Sequence, residues 1–250
     1  MSTSSAVPAQ RQPELAGQTV VVIGGSGGIG LETARRARSE GADVILTGRN
    51  PDRLRKAADE VGARDTAAFD AKDTAALARF FQGLSQIDHV MITASGPSYG
   101  PLLSMDADQA SQALGDHLVL ALEITRNAVS VMRPGGTLLF MGFAGAGRIS
   151  PGPGIAAAAA AALPPFTASL ALEIAPVRIN LIGAGFVDTG LSARLLGDKI
   201  EERRKELREK LPIRRVVGPA DVAALAVHIM ANTAMTGGTY DIDGGQQLVS

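Results

Sequence analysis

Cysteine and tryptophan are absent from the chain, tyrosine occurs twice and histidine three times. Without a thiol there is no disulfide, no thiolate nucleophile and no cysteine-ligated metal. His89, His117 and His228 are far apart in sequence and none stands in a helical two-histidine spacing, so no metal site is expected. An excess of either charge is lacking as well. Lys and Arg number 24 against 25 Asp and Glu, for a net charge of −1. That balance implies no general attraction to nucleic acid or to an anionic membrane. Residues 1–14 have no apolar signal core and read as a disordered tail. No uncharged apolar stretch has the look of a membrane span, because the alanine run Ala156–Ala162 is short and meets Pro164 and Pro165. The expected compartment is cytoplasmic, where a chain without disulfides is at home.

What the sequence does have is an alternation of short β-branched runs with helical spacing. Strands are expected at Thr19–Ile23, Asp43–Thr47, Thr66–Phe69, His89–Ile92, Thr137–Met141, Val177–Ile182 and Thr239–Ile242. Helices are expected between them. Gly28–Glu40 ends at Gly41, and Asn50-Pro51 opens a helix to about Val61. Others fall at Asp73–Leu84, at Asp108–Met132 as one long helix, at Ile155–Ile174 with a kink at the proline pair, near Asp198–Lys210, and at Pro219–Met230. This order predicts an α/β fold: a doubly wound, Rossmann-type parallel sheet of about seven strands with helices on both faces, in a single domain over residues 15–250. The charged stretch Glu201–Lys210 pairs Glu201 with Lys205 and Glu206 with Lys210 and reads as a solvated helix face.

The first strand-to-helix turn reads IGGSGGIG, Ile23–Gly30. Glycines there permit close backbone approach to a diphosphate, and the helix start offers free N–H groups. At the end of the second strand an NAD site needs a carboxylate for the ribose 2′-hydroxyl. This chain has Gly48 there, followed by Arg49 and Asn50. A guanidinium at that place suits a 2′-phosphate, so the expected cofactor is NADP(H).

The spacing Gly24, Gly28, Gly30 resembles the phosphate turn of the short-chain dehydrogenase/reductase family, with Ile23 where that family usually has Thr. Asp70 with Ala71 resembles the family's adenine-contacting position. Thr93-Ala94-Ser95-Gly96 stands where the family has N-N-A-G, and Ala184–Thr189 resembles P-G-x-x-x-T with Ala184 replacing Pro. Gly238–Gly245 looks like its last strand. The likeness spans about Gly17 to Leu248. It implies a cofactor-binding set of Gly24, Ser26, Gly27, Gly28, Ile29, Gly30, Arg49, Asn50, Asp70, Ala71, Thr93, Ala94, Ser95, Gly185, Val187 and Thr189.

The chemistry departs from the family. The resemblance implies a Tyr acid/base, a Lys four residues later, a Ser at a strand end and an Asn on the long helix. Counting places these on Ala156, Ala160, Phe143 (or Gly142) and His117. No Tyr or Lys occurs between Gly100 and Asp198, so a shift of register restores nothing. Tyr99 and His117 are the weak substitutes, each with a plainer role as a loop tyrosine and a packed helix histidine. Ser98 and Ser150 are small polar groups near predicted strand ends. Two readings follow. One is an NADP(H)-dependent oxidoreductase acting on a small carbonyl, alcohol or enoyl substrate with a non-standard proton donor. The other is a dinucleotide-binding pseudoenzyme that senses cofactor or regulates an active paralogue. The alanine-rich helix and the family look imply a homodimer or homotetramer.

Overall fold

β1 (Thr19–Ile23) is a β-branched run buried on both faces. In the computed structural model, which describes residues 14–94, 100–115, 117–144 and 154–249, it pairs in parallel with β2 (Asp43–Gly48) on one side and β4 (Ile87–Ile92) on the other. β3 (Asp65–Ala68) extends the β2 side. β5 (Met132–Phe143), β6 (Arg178–Ala184) and β7 (Thr239–Ile242) extend the other. The order is β3-β2-β1-β4-β5-β6-β7, a seven-stranded sheet with all pairings parallel. Alternate side chains of β1 serve two cores: Val20 and Val22 face one, Val21 and Ile23 the other.

The first core is covered by α1 (Gly28–Ser39), α2 (Pro51–Val61) and α9 (Pro219–Ala231), through Ala34, Leu54, Val222 and Ala226. The second is covered by α3 (Thr74–Gln82), α5 (Leu118–Val129) and α6 (Gly154–Glu173), through Phe81, Ile124 and Leu163. This is the expected doubly wound fold. Strand order reverses between β1 and β4, which opens a crevice at their carboxyl ends.

Several sequence expectations need correction. The long helix expected over Asp108–Met132 is two helices, α4 (Ala107–Gly115) and α5, with His117 at their junction. Gly115, a weak helix former, ends the first. The fifth strand starts at Met132 rather than Thr137, because the pairing jumps from Ile87↔Met132 to His89↔Thr137 and leaves 133–136 as a bulge. Pro134 sits in that bulge, where no ladder donor is needed. A helix not foreseen, α7 (Gly190–Leu196), precedes α8 (Ile200–Lys210). It is only two turns long, and Thr189 caps it by accepting from the Ser192 N–H at 3.2 Å.

The proline pair lies inside α6 without ending it. With 19 uncharged residues before Glu173, α6 is long and apolar enough to cross a membrane by length and composition. Its Leu163, Thr167 and Leu170 are nevertheless buried, and it packs on β5 and β6, the place of a core helix. On α8, Glu206 pairs with Lys210 as expected, whereas Lys205 meets Glu209 rather than Glu201.

Candidate functional site

The crevice mouth is built by the turn between β1 and α1. The Gly24 and Gly25 N–H groups both donate to the Thr47 carbonyl, at 3.1 and 2.9 Å, so they tie the turn to β2. The turn then crosses the end of β4. A Cβ on Gly30 would lie 2.6 Å from the Gly24 carbonyl and 2.6 Å from Thr93 Oγ1, and one on Gly24 2.8 Å from the same hydroxyl. Only glycine lets the helix start approach so closely. Thr93 in turn donates to the Ile23 and Gly24 carbonyls, at 3.1 and 3.2 Å. Its family position is therefore occupied by a side chain that locks the turn.

α1 begins with no capping side chain at Gly27. The N–H groups of Gly28, Ile29 and Gly30 thus form an uncapped helix start, suited to a phosphate. Gly28, at φ +56°, faces Thr189, whose methyl would be 3.6 Å from a Cβ placed there. A groove of about 440 Å³ starts at this gap and runs between α1, α7 and α8, past Leu31, Glu32, Arg35, Asp188, Ala193 and Arg204. Backbone donors at a glycine-cleared helix start suit the diphosphate of a dinucleotide.

The segment carrying Gly185, Val187 and Thr189 is held from three directions. Gly185 donates to the Ile242 carbonyl at 3.1 Å, and Phe186 N–H donates to Gln246 Oε1 at 2.9 Å. Val187 bridges Val217, and Asp188 N–H donates to the Val217 carbonyl at 2.9 Å. Arg204 of α8 grips Asp188 through two bonds of 2.9 and 2.7 Å, and these bonds together with Glu201 raise its already high pKa. Asp243 abuts Gly185. Burial acts to raise its pKa, but N–H donors from Gln247 and Gly245 prevail and lower it. Sequence reasoning missed Arg204 because its charged decapeptide resembles any solvated helix.

On the adenosine side, Arg49 is exposed at the end of β2, and Ser26 Oγ lies 3.2 Å from where a Gly48 Cβ would be. Asn50 spends its Oδ1 on capping α2, accepting from the Arg53 N–H at 2.9 Å. Asp70 is exposed and accepts from the Lys72 N–H at 3.1 Å, with Ala71 buried beside it. Ala94 is half-buried at the end of β4, whereas Ser95, Ser98, Tyr99, Asp116 and Ser150 lie outside the described residues.

The positions counted for the family's catalytic residues carry Ala156, Ala160, Phe143 (or Gly142) and His117. Ala156 and Ala160 are buried on α6, and a Gly142 Cβ would meet only Leu181 and Leu163. Phe143 is half-buried at the end of β5. His117 is buried, with Nδ1 3.3 Å from the Ala113 carbonyl, the bond of a packed helix histidine. Its ring borders a cavity of about 10 Å³ closed by Ile92, Phe140, Met141 and Leu163. That is no more than room for one water. Among the described residues no cluster of His, Asp or Glu is arranged to hold a metal.

Comparison with known proteins agrees with this geometry. A family model described as enoyl-(acyl carrier protein) reductase matches residues 24–247. An uncharacterized oxidoreductase of Mycobacterium tuberculosis is 31% identical over 243 residues, covering 91% of both chains. The cyclic-di-GMP-binding biofilm dispersal mediator protein of Escherichia coli is 29% identical, covering 91% of this chain and 96% of its own. The crystal structure of BdcA in complex with NADPH superposes with a TM-score of 0.82 at 26% identity, covering 93% of this chain and 95% of that one. With the phosphate turn, the strand order and nearly the full length matched, the chain belongs to the short-chain dehydrogenase/reductase family.

Proposed function

We propose that the protein is an NADP(H)-binding oxidoreductase that moves hydride to or from a small carbonyl, alcohol or enoyl substrate, with a proton source other than a Tyr-Lys pair. The observation that carries the reading is the uncapped start of α1, with Gly48 where an NAD site would place a carboxylate and the exposed Arg49 next to it. The NADPH held by BdcA, a structure of the same fold, supports the choice of nucleotide. When bound, NADPH supplies the hydride. The residues assigned to hold it are Ser26 to Gly30 and Thr189 at the phosphates, Arg49 at the adenosine end, Asp70 and Ala71 at the base, and Gly185 and Val187 along the far wall.

The chain's own contribution is binding and orientation. Ala156, Ala160 and Phe143 hold no proton, so the proton arrives from solvent or from the substrate's own acidic group. Such a site suits hydride acceptors whose reduced form is protonated after transfer. The test is NADPH oxidation against a panel of aldehydes, ketones, quinones and enoyl thioesters. Turnover with one class supports the reading, and no activity above background across the panel contradicts it.

A second reading, a dinucleotide-binding sensor or inactive partner of a paralogue, is favoured by one observation: all four polar positions of the family site are replaced together. The E. coli relative is named for ligand binding rather than for a reaction, which supports it further. Isolation of a stable mixed oligomer with a paralogue separates this reading from a catalytic homodimer or homotetramer. A cytoplasmic location is part of the proposal.

A further inference from the structure

We infer that Arg53 is a second determinant of cofactor specificity and binds the 2′-phosphate together with Arg49; this rests on the NADP(H) reading above. The position of Arg53 is the starting point. It lies in the first turn of α2, three residues after the Asn50 cap, and its guanidinium reaches back over the phosphate turn. Its NH2 atom is 3.1 Å from where a Gly27 Cβ would stand, and no other group lies within 4 Å of that point. Ser26 is on the β2 side of the turn, since Ser26 Oγ abuts Gly48, while Gly28 faces Thr189 on the other side; Gly27 lies between them and is approached by Arg53 from α2, the helix that follows β2. Arg53 therefore meets the turn at its adenosine end, away from the groove that begins at Thr189.

The charge of Arg53 has no other use. Its neighbour Asp52 pairs with Arg55, and among the described residues neither Arg49 nor Arg53 forms an ion pair. Two unpaired guanidinia and the Ser26 hydroxyl surround the end of β2, where the ribose lies in a fold of this class. A phosphate monoester carries enough charge and oxygens to take both forks. The sequence hid this residue because one arginine in a first helical turn looks like ordinary surface charge.

The test is calorimetric titration of the intact protein and of Arg49→Ala, Arg53→Ala and Arg53→Lys with NADPH and NADH, repeated with 2′,5′-ADP and 5′-AMP. Arg53→Ala is expected to weaken NADPH and 2′,5′-ADP by about tenfold or more, the usual size of a charge-assisted contact. NADH and 5′-AMP are expected to change by less than about twofold, and Arg53→Lys to restore part of the loss. Equal loss for NADPH and NADH places Arg53 on the diphosphate and overturns the inference. So does a wild type that prefers NADPH while Arg53→Ala binds it unchanged, an outcome that leaves the cofactor reading standing. A wild type with no preference for NADPH overturns both.

Discussion

At the scale of single residues, two buried groups show what the fold demands of its side chains. His89, in the middle of β4, offers Nε2 to Gln18 Oε1 and leaves Nδ1 without a partner among the described residues. Burial lowers its pKa to about 4, against a smaller raising effect of Asp88 and alongside a further lowering by Arg178. The folded state thus keeps His89 neutral, while the unfolded chain protonates it near 6.5. Stability from this residue is complete above about pH 6.5 and is lost as pH falls toward 4, by about 3 kcal/mol in all. Urea unfolding between pH 7 and 4.5 is expected to show this slope in the wild type and a flatter one in His89→Gln; equal slopes would exclude the assignment.

Arg178, at the start of β6, is the other such residue, and burial lowers its pKa. It donates to five carbonyls: Gly135 in the bulge, then Ile229, Met230, Asn232 and Met235 at the end of α9. Arg178→Met leaves those acceptors unmet and is expected to cost about 3 kcal/mol or more in the same unfolding assay.

At the scale of elements, the site depends on how tightly a few segments are seated. Gly30→Ala drives a methyl into the Gly24 carbonyl, which is backbone and moves only with the turn. The expected result is a loss of about 1–3 kcal/mol in stability and weaker binding of NADPH and NADH alike. Arg204→Leu releases Asp188 without touching the sheet. Hydrogen exchange at the Asp188 amide is expected to quicken while β1 and β4 stay protected. Unchanged exchange there would show that the segment is held without Arg204. Elements with a local signature were legible in the sequence: β1 from its five β-branched and aliphatic residues, and α2 from Asn50-Pro51 at its start. The break between α4 and α5 and the early start of β5 were not. The early start of β5 depends on register against β4 and on a bulge held by Arg178, contacts between residues far apart in the chain, and the helix break falls at Gly115 inside a stretch of otherwise helical spacing. Arg53 and Arg204 stayed hidden because what each reaches, the Gly27 turn and Asp188, belongs to another element.

At the scale of the whole molecule, the doubly wound order puts one crevice at the reversal between β1 and β4. Every feature assigned to the cofactor borders it or continues from it: the α1 start, Arg49 beyond β2, Ala94 after β4 and the segment after β6. On the proposed reading, the positions counted for the family's Tyr, Lys and Ser carry Ala156, Ala160 and Phe143, which hold no proton, so nucleotide binding is proposed to stand apart from conventional acid–base chemistry. The most direct measurement of the central claim is a calorimetric titration of the wild-type protein with NADPH, NADP, NADH and NAD. Saturable binding of the phosphorylated pair is expected, about tenfold or more tighter than of the other pair. No saturable heat with any of the four nucleotides would contradict it.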